Sequence, residues 1–344
     1  MEDDDRLKCR MIKGILLCLT NLDYFKEHFN GELMQILYTD CHDSDKLILT
    51  CSIIEIFNGL KDSSTLDLNL ELFIQRYVLI FKHSLEEQNK SNFCIDFISN
   101  LIEQLHKEQN FEANCNYILE ESPFSEQTKK DFMFGKFLDF FEQTETSGIS
   151  KLFSSTNIII KECQICHSIT YKYEIQKKIL DFDIDEVISF KKAQNNDDNI
   201  NKISLNDCFN YYYYSKKQNN DLNCNNQNCN GKSHNITKLI SWTSDIMIIT
   251  LKRKSFQNEE KDIEIKTTID MNNYIDKDAL NNLTKFNNNK MSSIYDLKCI
   301  FYIYENDFIF CWKTKKNFWL FSFDGVEVIK FDDILDSIDK MKHF

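Results

Sequence analysis

Cys163-Gln164-Ile165-Cys166 and, about sixty residues later, Cys224-Asn225-Asn226-Gln227-Asn228-Cys229 are the stretches on which the reading of this chain turns. Each puts two thiols on one short polar turn. A turn brings two sulfurs to one side of a metal at low cost in chain entropy. Two such turns supply the four ligands of a tetrahedral Zn²⁺, and the metal stabilises the thiolates that bind it. The expectation is a structural Zn²⁺ held by Cys163, Cys166, Cys224 and Cys229, with His167 and His234 near enough in sequence to stand in for a sulfur. The plainer reading is four ordinary thiols in a chain of thirteen cysteines, and the second spacing is wider than the usual CxxC. Cys18, Cys94, Cys208, Cys299 and Cys311 lie in apolar runs, where a thiol is a small buried hydrophobe.

The segments on either side of the first pair differ in character. Upstream, apolar residues recur at helical spacing over Ile12 to Phe29, Leu47 to Leu60, Leu70 to His83 and Asn92 to Lys107; in the last, Phe93, Phe97, Leu101 and Leu105 repeat every four residues. From about Lys151 onward, short β-branched and aromatic runs alternate with polar stretches: Ile158-Ile159-Ile160, Ile169 to Tyr173, Ile246 to Leu251, Ile263 to Ile269, Leu297 to Tyr304, Phe308 to Trp312 and Phe318 to Phe323. Polar loops are expected around 192–202 and 215–235. Helices first and antiparallel strands after predict an α+β fold.

Composition narrows the function classes. With 344 residues and 42% hydrophobic side chains, the chain can bury a sizeable core. A net charge of −13 argues against direct nucleic-acid binding, which wants a basic face. The acidic start Met1-Glu2-Asp3-Asp4-Asp5 lacks the basic n-region of a secretory signal, and no apolar run reaches membrane-spanning length. The expectation is a cytoplasmic or nuclear protein with reduced thiols and no membrane partner.

Several segments resemble, in order, those of the ubiquitin-specific-protease family. Ile15-Leu16-Leu17-Cys18-Leu19-Thr20-Asn21, followed by Tyr24-Phe25, is similar to the family's first helix. Asn92 to Phe97, continuing to Leu105-His106-Lys107-Glu108, is similar to its Q-D-A-x-E-F…L-H-x-E helix. Phe153 through Cys166 resembles the start of its fingers ribbon. Ser204-Leu205-Asn206-Asp207-Cys208-Phe209 resembles S-L-x-x-C-L, and Ile246 to Arg253 resembles the strand ending in L-K-R-F. Tyr295-Asp296-Leu297 and Trp319 to Asp324 resemble the closing strands. Within the family, the first helix and the fingers are most similar to the deubiquitinase subunit of the SAGA transcription coactivator complex, although the expectation from these residues is of a domain without that subunit's N-terminal ubiquitin-binding zinc finger. The resemblance implies a papain-like fold in a single domain over 1–344, with a helical thumb (1–150), zinc-ribbon fingers and first palm strands (151–255) and a β-rich palm (256–344).

The same resemblance exposes the catalytic positions to a residue-by-residue test. A protease of this kind needs a thiolate, a histidine base and an acid that orients it. The nucleophile position falls on Arg10, with Cys9 beside it; one residue at a helix start rotates a side chain by about 100°. The oxyanion donor, an Asn in the family, falls on Asp5, a carboxylate that would repel the developing charge. The small Gly of the preceding loop is replaced by Leu7. The histidine of G-H-Y falls on Phe308 in Asp307-Phe308-Ile309, and a phenyl ring has no lone pair with which to act as base. Only Asp324 matches its counterpart, the orienting acid. Arg10 reads either as a surface residue or as a guanidinium filling the vacated site beside Asp324 or Asp5.

Three expectations follow from the resemblance. The first is an inactive family member that scaffolds ubiquitin, a ubiquitinated protein or fellow subunits of a complex, with anchors from Tyr211 to Tyr214, Trp242, Trp312 and Trp319 unless these are core. The second is an active deubiquitinase using Cys9. The third is a zinc-stabilised structural subunit that no longer touches ubiquitin.

Overall fold

The structure is a computed structural model that describes residues 3–41, 46–61, 64–86, 90–110, 127–145, 147–176, 179–197, 200, 202–214, 224, 229–230, 234–252, 262–278, 293–304, 307–313, 319–322 and 326–329. Its helices are α1 (Asp3–Thr20), α2 (Asp23–Asn30), α3 (Glu32–Cys41), α4 (Ile48–Lys61), α5 (Leu66–Glu86), α6 (Lys90–Gln109), α7 (Gln127–Thr144), α8 (Gly148–Phe153), α9 (Ile184–Asn195) and α10 (Leu205–Tyr214). The strands are β1 (Thr156–Cys163), β2 (Ile169–Ile175), β3 (Ile179–Asp183), β4 (Lys202–Ser204), β5 (His234–Trp242), β6 (Ile248–Lys252) and β7 (Asp262–Glu264). After them come β8 (Thr268–Asp270), β9 (Ile294–Asp296), β10 (Cys299–Tyr304), β11 (Asp307–Lys313), β12 (Trp319–Ser322) and β13 (Val326–Ile329). The chain forms two compact units, one of residues 1–111, 147–152 and 297–344, the other of 112–146 and 153–296. Asp324 lies outside the described residues.

The first unit combines α1 to α6 with the antiparallel sheet β10-β11-β12-β13. The four-residue repeat in α6 is its buried face: Phe93, Phe97, Leu101 and Leu105 are all sealed from solvent. Phe97 meets Tyr77 of α5 at a ring-centroid distance of 4.8 Å. The single helix expected from Ile12 to Phe29 is two. At the end of α1 the Thr20 hydroxyl and the Asn21 amide both donate to the Leu17 carbonyl, at 3.1 and 2.7 Å, which closes the helix and lets α2 begin at Asp23. At the other end of the bundle, the Glu108 carboxylate accepts the backbone N–H of Leu49 (3.1 Å) and Thr50 (2.7 Å), filling orphan donors of α4's first turn. His106, two residues earlier, has its Nδ1 2.7 Å from Ser147 Oγ and 2.9 Å from Ser150 Oγ. The Leu105-to-Glu108 segment is thus a polar hub between helices.

The second unit holds the antiparallel sheet β2-β1-β5, on which α7 packs: Phe134 and Phe137 of α7 meet Tyr173 of β2 at 5.4 and 5.6 Å. Two features depart from the sequence expectation. The pairs β3-β6 and β4-β7 run parallel, and two helices, α9 and α10, sit in the region read as strands and loops. Both helices carry local signals. Asp183 caps α9, its Oδ1 accepting from Asp185 N at 3.0 Å and Glu186 N at 3.3 Å, and Ile184, Val187 and Ile188 then recur at helical spacing. Ser204 and Asp207 cap α10 reciprocally. The aromatic run Tyr211 to Tyr214 is therefore helical, and Tyr213 and Phe209 join Phe182, Met271 and Tyr274 in this unit's core. Trp242 is half-buried on β5, Trp312 is buried on β11, and the side chain of Trp319 lies outside the described residues. The loop expected over 215–235 ends early, because β5 starts at His234. A helix and parallel crossover inside a mainly antiparallel half is still α+β architecture.

Candidate functional site

The four cysteines meet at the end of the β2-β1-β5 sheet. Cys163 closes β1 and pairs with His234 across the ladder. A reversal then brings Cys166 round: the His167 N–H donates to the Cys163 carbonyl and the Cys163 N–H to Ser168 O, both at 3.0 Å, with His167 in a left-handed conformation at φ 55°. Cys163 Sγ lies 3.7 Å from Cys229 Sγ, and Cys166 Sγ lies 3.5 Å from Cys224 Sγ. All four sulfurs are within 4.8 Å of one another.

These distances fit a metal better than a disulfide. A disulfide needs about 2.05 Å between sulfurs, whereas four sulfurs at about 2.3 Å from Zn²⁺ stand about 3.8 Å apart at the corners of a tetrahedron. The surroundings favour thiolate. Backbone N–H groups of Cys166 and Ile165 donate to Cys163 and lower its pKa. The Ser168 hydroxyl and backbone N–H bring Cys166 down to about 6. The quartet can therefore hold a metal ion. Neither nearby histidine belongs to it: His167 is exposed and lies 3.2 Å from Glu162, and His234 Nδ1 is buried without a hydrogen-bond partner among the described residues.

The second cluster lies within the first unit, along one line of α1. Arg10, Gly14 and Cys18 are four residues apart and share a face of the helix. Each meets the sheet. The Arg10 guanidinium lies over the ring of Phe308, 5.6 Å from its centroid. At Gly14 a side chain has no room: a Cβ there would sit 2.9 Å from Phe310 and 3.3 Å from Phe301. Cys299, directly across β10-β11 from Trp312, donates its thiol to the Cys18 carbonyl at 3.5 Å, and the neighbouring Cys299 side chain and then burial push the Cys18 pKa well up. Four residues of helix rise about 6 Å and two residues of strand about 6.8 Å. The helix thus runs in step with Phe308, Phe310 and Trp312, and the α1 residue facing Phe308 is Arg10. Phe308 is 5% exposed and stacks on Phe301 (5.5 Å) and Phe310 (6.1 Å). One residue away, Cys9 is half-buried and rotated by about 100° from that line.

The helix start corrects the sequence reading. Arg10 was expected there, but α1 begins at Asp3, two turns earlier. In a helix running from Asp3, the N–H groups of residues 7–10 point back to the carbonyls of residues 3–6. They are committed within the helix and are not a free helix end. Asp5 lies in the first turn and Leu7 is half-buried. His28 and His106, on α2 and α6, are hydrogen-bonded to Gln109 (2.9 Å) and to Ser147 and Ser150 respectively. The sequence expectation offered Asp324 or Asp5 as partners for Arg10; Asp324 and the side chain of Asp5 lie outside the described residues, and the Phe308 ring is a partner that the sequence reading did not name. Among the described residues, no helix is long and apolar enough to cross a membrane.

No protein-family model matches the sequence, and no curated protein matches it either. Solved structures do. The chain is 18% identical, with a TM-score of 0.61, to a SAGA deubiquitinase module of Ubp8, Sgf11, Sus1 and Sgf73, with a cysteine-to-alanine Ubp8, bound to monoubiquitin. The same Ubp8 module bound to ubiquitin aldehyde gives 19% and 0.60, and a yeast SAGA module 17% and 0.59. In the first two cases the match covers 94% of this chain and 64% of the other, so the chain spans just under two thirds of the length of the structures it matches. The fold is that of a ubiquitin-specific-protease-like domain resembling Ubp8, with a cysteine quartet compatible with its zinc ribbon.

Proposed function

Starting from this fold, we propose that the chain is a catalytically inactive ubiquitin-specific-protease-like protein, a single domain of thumb, fingers and palm that binds ubiquitin or a ubiquitinated protein as a scaffold within a multiprotein complex. One observation carries the reading: the residue of α1 that faces the base position is Arg10, and the residue at the base position is Phe308. A guanidinium stays protonated at any physiological pH and is no nucleophile. A phenyl ring neither takes nor gives a proton. The continuous helix from Asp3 adds that the amides nearby are already committed. Nucleophile, base and oxyanion donors are thus all replaced, while the frame that held them is kept.

Cys163, Cys166, Cys224 and Cys229 would hold a structural Zn²⁺, whose chemistry is to tie the end of the β2-β1-β5 sheet together. Zinc is the metal that a four-thiolate set of this geometry suits best. The neighbouring structures contain ubiquitin and the subunits Sgf11, Sus1 and Sgf73. For this chain they support ubiquitin and fellow subunits as partners, and a nuclear rather than cytoplasmic setting. The acidic balance of −13 gives no support to direct nucleic-acid binding.

The test is a calorimetric titration of monoubiquitin into the purified protein, beside an assay on a fluorogenic ubiquitin C-terminal amide. Micromolar binding without turnover is expected. Turnover would refute the inactive reading, and no binding at high micromolar concentration would leave only a structural subunit.

A further inference from the structure

We infer that the Ser168 hydroxyl orients Cys224 for metal binding, as a positioning residue outside the four ligands that ties the second cysteine turn to the first. The inference rests on the metal reading above and adds to it a residue that sets how tightly the ion is held.

Ser168 stands where β1 reverses into β2, and it is half-buried. All of its polar groups are turned to the cysteines. Its carbonyl accepts the Cys163 N–H at 3.0 Å. Its backbone N–H donates to the Cys166 sulfur. Its hydroxyl oxygen lies 3.2 Å from Cys166 Sγ and 3.4 Å from Cys224 Sγ. One residue thus meets three of the four cysteines, and of its groups the hydroxyl is the one that reaches the second turn. The neighbouring side chains of the first turn have other partners: His167 lies 3.2 Å from Glu162, and Gln164 donates to Asn235 at 2.8 Å.

A hydroxyl has one proton to give and two lone pairs to receive with. While Cys166 is a thiol, it can donate to Ser168, whose own proton can pass on to Cys224. A metal ion draws the protons off the sulfurs. Cys166, then a thiolate, keeps the Ser168 backbone N–H, and the hydroxyl proton is left for Cys224. A hydrogen bond to an ionised acceptor is about twice as strong as a neutral one. Four thiolates outweigh the charge of one divalent cation, and each donor aimed at a sulfur spreads that excess. The first turn supplies such donors from its own backbone, with the amides of Cys166 and Ile165 on Cys163. Cys224 comes 58 residues after Cys166, so a donor from the first turn must reach it through a side chain. Groups that orient metal ligands in this way are worth about 10- to 100-fold in metal affinity.

The experiment strips the full chain of metal and titrates it with Zn²⁺ against a chromophoric chelator, then with Co²⁺ under an absorption spectrometer. Ser168→Ala should bind Zn²⁺ about tenfold more weakly than the wild type at unchanged stoichiometry. Ser168→Thr keeps the hydroxyl and should restore the wild-type affinity. In the cobalt form, losing a hydrogen bond raises the sulfur lone pairs. The sulfur-to-cobalt charge-transfer band of Ser168→Ala should therefore move to longer wavelength, which looser packing alone would not do, and Ser168→Thr should return it. Unchanged affinity in Ser168→Ala, or weaker binding with the band unmoved, would overturn the inference and leave the quartet a metal site. If Ser168→Ala takes up no metal, Ser168→Thr decides: wild-type affinity there upholds the inference, and loss there too overturns it. A wild-type chain that binds neither ion would overturn both this inference and the metal reading.

Discussion

Removing one sulfur from the quartet tests whether the fingers depend on a metal. With Sγ to Sγ distances of 3.5 and 3.7 Å, the four thiolates cannot stay together without a cation between them. In Cys166→Ser the hydroxyl is a far weaker ligand, and three sulfurs remain. The cost follows from mass action: a metal present at a thousand times its dissociation constant stabilises the folded form by about 4 kcal/mol. Most of that should vanish in the variant and on chelation of the wild type. The loss should also have a location. Cys163 ends β1 opposite His234, the first residue of β5, and β2 begins at Ile169. Amides of Lys161, Glu162, Asn235 and Ile236 should exchange first, while those near Thr156 and Trp242 hold longer. Metal analysis and X-ray absorption should give about one Zn per wild-type chain with sulfur at about 2.3 Å. Full metal retained in Cys166→Ser with Cys229→Ser, or exchange at the sheet end unchanged by chelation, would refute the assignment.

Three further substitutions probe what holds the two units together internally. Lys130 is buried with its ammonium 2.9 Å from Asp276 and 2.9 Å from Asp278, and these bonds raise its pKa although desolvation opposes them; Lys130→Met should cost about 3–5 kcal/mol by stranding the buried Asp276, and a urea-midpoint loss equivalent to under about 1 kcal/mol would contradict this. Gly14→Ala gains about 1 kcal/mol of helix propensity but drives a Cβ to 2.9 Å from Phe310, which stands between the rings of Phe308 and Trp312. Overpacking of about 1–3 kcal/mol should win, and a stabilised variant would mean that α1 can lift off β11. Burial lowers the pKa of His28, with Lys151 helping and the Gln109 bond opposing. The unfolded chain therefore takes up a proton at about 6.5 before the folded one does. Stability from this group is present above that pH and falls as the pH drops from it toward the folded value. The unfolding free energy measured at pH 7.5 and 5.5 should show a smaller drop in His28→Gln than in the wild type; equal drops would clear His28.

The helices of the first half were legible because each buries one face, as Phe93, Phe97, Leu101 and Leu105 show. The cysteine quartet was legible because metal binding needs local pairs, and local pairs leave a spacing. What escaped was of two kinds. The helices α9 and α10 were hidden by aromatic and β-branched residues, whose strand preference is overridden by the caps at Asp183 and Ser204. The meeting of Arg10 with Phe308 joins residues about 300 positions apart, and only the packing of α1 along β11 brings them together. Composition says nothing about such a pair. The start of α1 at Asp3 was missed because Asp3-Asp4-Asp5 reads as a solvated acidic run, although acidic side chains also suit a helix's first turn.

Inactivity at the α1 site is tested most directly by exposing the purified chain to ubiquitin bearing a thiol-reactive electrophile at its C-terminus, and weighing the product by intact-mass spectrometry. With Arg10 over Phe308 and Cys9 turned from that line, the mass of the chain should not change. An added ubiquitin on Cys9, lost in Cys9→Ala, would contradict it.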